Sequence, residues 1–505
     1  MATATEKTER EGSTMHAEET KTHEVYDEVL SPEEDKRLLR KIDMCLLPVM
    51  GLSYMFQFLD KTALNSTAIL GLREDLHLTG EEYSWSSGIY YFGYLAASYP
   101  AAVLMVRWHV GKLISASVLV WGIVLILTAV CFNPAGLLAE RFFLGFTEAA
   151  IGPGLTVVVA MWYKRAEQPL RHAAWYLGNT FAGIFGGLLA NAIGHIDSIA
   201  PWKVCIAVFL IFGGLTIAWS FVLLFTLPDT PGKAWFLNRI DREKALVRVK
   251  ENMTGIKNNE FKWSQCLEAL LDIKSWFVVA MQIANSIPNG AVTTFSAIII
   301  RAFGFSTMNT LLLTSINYVL QLFLVLTATI GSSYFNNSRT YWMAGNLAIA
   351  VTGAIMVRQL PVDMKWGRLA GICMAGGYAA NFPLIMSLMS GNFGGFTKKT
   401  TVNAMLAFHN IKSFMAYCTG NIIGPQLFFA WQAPTYTSGF LALIICLAFG
   451  FCLCFMLRAY LIWENHRRDK TTSTAEVAEF NETQDTMINL MDKTDKEIPQ
   501  FRYVY

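Results

Sequence analysis

The chain has 505 residues, 53% of them hydrophobic and only 15% charged, with a mean hydropathy of +0.37. That is the composition of a membrane protein, and no catalytic constellation or nucleic-acid patch stands out in it, so an enzyme and a nucleic-acid partner are not expected. The formal net charge of +2 says little as a total, because in a membrane chain the distribution over loops carries the information.

Residues 1–44 are expected to form a disordered cytoplasmic tail. The early stretch is rich in Glu, Thr and Lys and lacks the basic start and apolar core of a cleavable signal peptide. Apolar runs near the roughly 20 residues needed to cross a bilayer then recur about twelve times. They lie near 45–68, 84–106, 112–131, 135–161, 173–196, 203–227, 275–301, 309–333, 340–357, 366–389, 402–430 and 437–462. The polar stretch 228–274 divides them into two bundles, 45–227 and 275–463, followed by a tail at 464–505. In that stretch, Asp241 to Met253 alternates charge with Leu and Val at helical spacing, which predicts short surface helices.

Lys and Arg crowd one set of loops: Lys36 to Lys41, Arg107 and Lys112, Lys164 to Arg171, the central linker, Arg339, Lys398 and Lys399, and Arg467 and Arg468. Placing that set in the cytoplasm puts both termini inside, with Lys365 and Arg368 as exceptions. The cysteines are scattered through apolar runs, a spacing that fits neither a disulfide framework nor a zinc site.

Charge inside the spans is the sharpest signal. Asp60 and Lys61 interrupt the first apolar stretch, and Arg141 and Glu148 the fourth. A charged group at the bilayer centre costs about 2.5 to 3.5 kcal/mol even on the lenient insertion scale, so such groups mark a cavity or a partner. Arg141 and Glu148, seven residues apart, share a helix face that is expected to look into the bundle. Asp60 and Lys61 diverge by about 100° around their helix, so one faces a cavity and the other a neighbouring helix. The functional reading gives the cations Lys61 and Arg141 to an anionic substrate and the carboxylates Asp60 and Glu148 to proton exchange. The alternative is a pair of static ion pairs.

Asn179, Asn289, Asn317, Gln321 and Asn381 are neutral polar residues at span depth, suited to orienting a substrate. Tyr90, Tyr91 and Tyr94 either shape a pocket or pack. Gly183 and Gly187 form a small-xxx-small pair expected to pack helices closely. Gly152-Pro153-Gly154 and Pro288-Asn289-Gly290 are weak points of the fourth and seventh helices. His409 and Lys412 in the eleventh run are either a proton site or snorkelling side chains. Asn65-Ser66-Thr67 has the form of a glycosylation acceptor.

The runs RKIDMCLLPVMGLSYMFQFLDKTALN, ERFFLGFTEAAIGPG, MWYKRAEQPLRHAAWYLGN, GNFGGFTKKTTVNAM, GNIIGPQLF and LRAYLIWENHRRD resemble the fungal allantoate-permease branch of the anion:cation symporters, within the major facilitator superfamily. The resemblance covers nearly everything but the tails. It implies an all-α integral membrane protein of about twelve helices in two six-helix bundles with inverted repeats, alternating access around a site between them. It also implies proton linkage at Asp60 and Glu148, and anion binding at Lys61 and Arg141. VRWHVGK lacks the acid usual in the loop after the second span, and AFHNIKS (Ala407 to Ser413) looks inserted. The expected function is proton-coupled uptake of a small organic anion such as a carboxylate, vitamin or nitrogenous metabolite, by a monomer without cofactor or metal in the plasma membrane. The rivals are an exporter of a secondary metabolite and a transporter-like nutrient sensor.

Overall fold

Inside a bilayer every backbone N–H and C=O needs a partner within the protein, and helices supply it locally. The structure, a computed structural model, describes residues 31–164, 167–196, 204–253, 263–335, 337–394, 398, 414–471, 494–498 and 501–505. Among these it is all helix and connection, with no strand.

Helix α1 (Pro32–Thr67) starts within the stretch expected as tail, because Ser31 caps Glu34 N–H, Pro32 opens the first turn and Glu33, Glu34 and Asp35 favour its positive end. A π turn over Ala68–Leu72 ends it, with Gly71 at φ 111°, a backbone conformation open to glycine. A capping box between Thr79 and Glu82 starts α2 (Gly80–Arg107). Next come α3 (Val110–Leu127), α4 (Pro134–Glu148), α5 (Ile151–Trp162), α6 (Gln168–Gly194) and α7 (Val204–Thr226). The expected weak point in the fourth span falls at Ala149 and Ala150, a turn between α4 and α5; Pro153 has no N–H to return to Ala149.

The linker forms α8 (Arg239–Met253) and α9 (Trp263–Leu271). The second half holds α10 (Ile273–Ala302), α11 (Thr307–Tyr334), α12 (Arg339–Gln359), α13 (Lys365–Ala375), α14 (Asn381–Asn392), α15 (Phe414–Gln426) and α16 (Thr437–Thr471). Every expected apolar stretch thus holds helix, and among the described residues 10 helical segments are long and apolar enough to cross a membrane. The second stretch, Ser- and Tyr-rich α2, is not among them, and much of the eleventh lies outside the described residues, as do His409, Lys412 and Ala407 to Ser413.

In the first half α1 packs on α6, α2 on α4 and α3 on α7; in the second, α10 packs on α15 and α12 on α16. Close approach is built from glycine: a Cβ on Gly145 would drive into the Tyr90 carbonyl, and one on Gly93 into that of Phe142. The halves meet where α6 crosses α11 and α2 crosses α15. Gly183 and Gly187 serve that crossing, lying on the ring of Tyr318 and on Ser315 and Leu311. Pro288 leaves α10 continuous, and Gly290 lets it press on Asn421 of α15.

Hydrogen bonds between the halves gather at the face opposite the linker. Asn65 gives Nδ2 to Ser296 Oγ at 2.8 Å and accepts Ala297 N–H at 3.1 Å, so the glycosylation-like Asn is a buried seal. Tyr83 OH donates to Thr294 O (2.7 Å), Arg301 to Ile69 O (3.1 Å) and Asn191 to Met308 O (2.8 Å).

At the linker face each half carries its own ion network. Arg248 of α8 reaches Asp35 at 2.6 Å and Glu167, Lys41 pairs with Asp241 at 2.5 Å, and Lys244 with Glu34 at 2.6 Å. In the second half, buried Lys398 meets Glu268 (2.8 Å), Asp272 (2.8 Å) and Asp495 (2.7 Å), while Lys274 meets Asp495 at 2.5 Å. The C-terminal segment is therefore pinned to the bundle. Asn392 and Asn465 each exchange two hydrogen bonds with its backbone, at Val504 and Tyr503.

Candidate functional site

Lys61 and Asp60 part company as their helical spacing requires. Lys61 lines a cavity between the halves, whereas Asp60 points into the first bundle and accepts the indole N–H of Trp121 on α3 at 2.5 Å. The cavity wall is Tyr54, Gln57, Phe58, Lys61, Tyr176 and Asn179 from one half and Gln282, Asn285, Ser286, Asn289, Ala379, Phe382 and Tyr417 from the other. Each side includes a polar helical stripe: Gln57 is four residues before Lys61 on α1, and Gln282, Asn285 and Asn289 recur at i, i+3 and i+7 on α10.

Three phenol rings surround the ammonium: Lys61 Nζ is 5.0 Å from the ring centre of Tyr90, 6.0 Å from Tyr91 and 5.9 Å from Tyr94. Tyr90 OH in turn donates to Glu148 Oε2 at 2.5 Å, placing that carboxylate directly behind the cation. No carboxylate among the described residues lies within ion-pair distance of Lys61 Nζ. The carbonyl oxygens of Asn179, Gln282 and Asn285 are buried with no hydrogen-bond partner. A buried acceptor left unpaired is costly, so a guest bringing N–H donors to these oxygens and an anionic group to Lys61 is well matched. Tyr176 and Phe382 stack across the halves with ring centres 4.8 Å apart and form the apolar part of the wall.

Not every residue singled out in the sequence reaches this cavity. Asn179 and Asn289 do; Asn289 also donates to Asn421 at 2.7 Å. Asn317, Gln321 and Asn381 are buried within the second half and do not line it. Asn317 abuts Gly376, and Asn381 is bonded to Asn346 at 3.1 Å. Arg141 also stays off the cavity, in the first bundle, against Glu140 (Nε to Oε2 3.2 Å) and the ring of Phe209 (5.2 Å). Its ion pair is with Glu140 and not with Glu148, since seven helical residues separate the latter by about 10 Å along the axis. Asp60 lies within electrostatic reach of Arg141, Glu140 and Glu148, so these charges form one buried cluster next to the cavity. Sequence reasoning passed over Glu140, Gln57, Gln282, Asn285 and Trp121. Glu140 was legible as a charge inside the fourth run, and the polar stripe of α10 by its helical period.

A chain of two helical halves around a central polar cavity, closed at one face by hydrogen bonds between the halves, matches known proteins. A profile of the Major Facilitator Superfamily covers residues 50–416. An uncharacterised transporter of Schizosaccharomyces pombe is 35% identical over 94% of this chain and 89% of its own length. The allantoate permease of Saccharomyces cerevisiae is 32% identical over 96% and 89%, and a thiamine pathway transporter of the same yeast 29% identical over 98% and 91%. Among solved structures, a bacterial homologue of the human lysosomal transporter Spinster, inward-facing and unoccupied, superposes with a TM-score of 0.59 at 16% identity, over 82% of this chain and 96% of that one. The nucleoside transporter NupG gives 0.57 at 13%, over 82% and 99%. Sequence and fold agree that this chain is a membrane transporter belonging to the Major Facilitator Superfamily, with the allantoate permease among its relatives.

Proposed function

We propose that the protein is a proton-coupled symporter that takes up a small organic anion by alternating access, with both termini in the cytoplasm and the plasma membrane as its site. The observation that carries this reading is Lys61: a cation in the cavity between the halves, with no carboxylate at ion-pair distance among the described residues, backed by Glu148 inside the bundle. A carboxylate on the cargo pairs with Lys61 and gives the buried ammonium a counter-ion. Gln282, Asn285 and Asn179 present their free carbonyl oxygens to N–H groups, and Tyr176 and Phe382 hold the apolar part of the cargo. The known relatives include one named for allantoate and one for the thiamine pathway, in keeping with a nitrogen-bearing organic cargo.

Glu148 and Asp60 are the groups assigned to proton exchange. An anion on Lys61 takes up the cation that faces Glu148, and a proton on Glu148 keeps the buried site neutral. Cargo and proton therefore favour each other's binding, which is what symport requires. The halves are sealed at the face opposite the linker and also touch through Tyr176, Ala379 and Phe382, and rocking about the α6–α11 and α2–α15 crossings opens one set of these contacts at a time.

The test is uptake of a panel of labelled organic anions, ureido and heterocyclic carboxylates among them, by cells expressing the chain under an inward or a collapsed proton gradient. At least one carboxylate is expected to accumulate only with the gradient, and Lys61→Gln to abolish it. Accumulation that ignores the gradient, or that Lys61→Gln leaves intact, overturns the reading.

A further inference from the structure

A second cavity lies away from Lys61, at the face opposite the linker. It measures about 140 Å³ against about 20 Å³ for the central one, so in this state the outer space, and not the inner, has room for a molecule larger than water. Its walls come from both halves. Arg73, just past the π turn that ends α1, and Tyr83 of α2 face Phe295 of α10 and, from the connection between α15 and α16, Phe428 and Tyr436. The four rings are buried and pack in sequence, with centres 5.5 Å apart for Tyr83 and Phe295, 5.3 Å for Phe295 and Phe428, and 5.6 Å for Phe428 and Tyr436. Exposed Ala433 and Pro434 stand at the mouth. The charge in this lining is that of Arg73. Its guanidinium lies 5.6 Å from the ring centre of Tyr83, and its Nε is buried without a hydrogen-bond partner. No carboxylate among the described residues lines the pocket or pairs with it.

A buried N–H of a cation with no acceptor is costly, and flat aromatic walls favour a flat apolar guest, so the complement of this pocket carries one anionic group and one ring. Size narrows it further, because an apolar cavity of about 150 Å³ takes up benzene. We propose that the pocket binds a monocyclic aromatic carboxylate, its ring among the four aromatic side chains and its carboxylate on Arg73, and that the bound ligand holds the halves together at this face. The second part follows from where the walls stand. Tyr83 OH donates to Thr294 O across the seal, so the contact that must open for access from this side also keeps Tyr83 against Phe295. Parting the halves takes the pocket apart. The ligand therefore binds the sealed state better than the open one and shifts the population towards it. It slows uptake from this side without entering the Lys61 cavity; that consequence rests on the symport reading above, whereas the binding and its dependence on the seal do not.

The probe is benzoate, with benzyl alcohol as its uncharged counterpart, titrated calorimetrically into the purified full-length protein carrying Lys61→Gln, which removes the central cation. One saturable site for benzoate is expected. Benzyl alcohol is expected to bind at least about tenfold more weakly, and Arg73→Gln to raise the benzoate Kd by a similar factor, the worth of one hydrogen bond to a charged group. Ala302→Phe, which fills the pocket from the end of α10 and leaves Arg73 in place, is expected to abolish binding. No saturable binding, or binding that survives Arg73→Gln or Ala302→Phe undiminished, overturns the proposal. Should Arg73→Gln fail to give monodisperse protein, Ala302→Phe and benzyl alcohol decide. Dependence on the seal is read with Asn65→Cys and Ser296→Cys added: the disulfide-locked protein is expected to bind benzoate at least as tightly as the reduced form, and weaker binding on locking overturns that part. Failure of the symport reading looks different, since benzoate still binds while gradient-driven uptake is missing.

Discussion

Lys61 illustrates how much one residue carries and how much its surroundings decide. Its charge inside an apolar run marks it from sequence, yet only the fold brings Tyr90, Tyr91 and Tyr94 around it and Glu148 behind it. The same fold keeps Arg141 off the cavity and sets it beside Glu140. Lys61→Arg is therefore expected to retain measurable uptake, because it keeps a cation at the mouth of the cluster, whereas Arg141→Lys lowers turnover while the KM for cargo moves by no more than about twofold. A tenfold rise in KM for Arg141→Lys would place the guanidinium on the cargo after all. The amides separate in the same way. Gln282→Ala and Asn285→Ala each remove a free acceptor from the cavity wall and are expected to raise KM about tenfold, the worth of one good hydrogen bond, as read from initial uptake rates. Asn381→Ala breaks a bond to Asn346 inside the second half and is expected to lower abundance at unchanged KM.

Among the elements, the helices announce themselves by hydropathy and caps, while their contacts do not. The α2–α4 crossing depends on Gly93 and Gly145, each lying where a methyl group meets a backbone carbonyl of the other helix. Gly145→Ala is expected to destabilise the purified protein by about 1 to 3 kcal/mol, measured as a drop in melting temperature, and an unchanged melting curve would mean that the crossing is looser than described. The C-terminal segment is the element that sequence reading left as tail. Burial alone raises the carboxyl of Asp495, but Lys274 and Lys398 outweigh it and hold that group well below the usual carboxylate range. Its contribution to stability is thus complete above about pH 4, the ordinary aspartate value, and is lost as pH falls further. Asp495→Asn leaves two buried lysines short of a counter-ion and is expected to cost about 3 kcal/mol at neutral pH. Adding Lys274→Met should recover part of that loss; a double variant no better than the single would show that the two residues do not act as a pair.

At the scale of the whole molecule, alternating access requires the seal between the halves to open. Asn65 and Ser296 face each other across it at 2.8 Å. A protein with Asn65→Cys and Ser296→Cys is expected to form a disulfide on mild oxidation, to lose uptake, and to regain it on reduction, with cross-linking followed by gel mobility after cleavage in the linker. Full uptake by the cross-linked protein would rule out rocking about this seal. The linker takes part in the division of the molecule: α8 is held by ion pairs to the first half through Asp35, Glu34 and Lys41, and α9 to the second through Glu268 and Lys398.

Local chemistry made much of this protein legible before folding. Apolar length declares each span, because a bilayer demands about 20 residues whatever their neighbours. The split into halves follows from the polar stretch 228–274, and the buried charges follow from the cost of placing them there. Partnership is a different matter, since it joins residues that the chain keeps far apart. Seven residues separate Arg141 from Glu148 on one helix face, and nothing in that spacing reveals that Glu140, next door, takes the guanidinium, or that Tyr90, 58 positions away, takes the carboxylate. Asn179 and Asn381 look alike in sequence, yet one lines the cavity and the other is spent on Asn346. Helix rotation and crossing decide such outcomes, and both are set by contacts between helices, which only the tertiary structure contains.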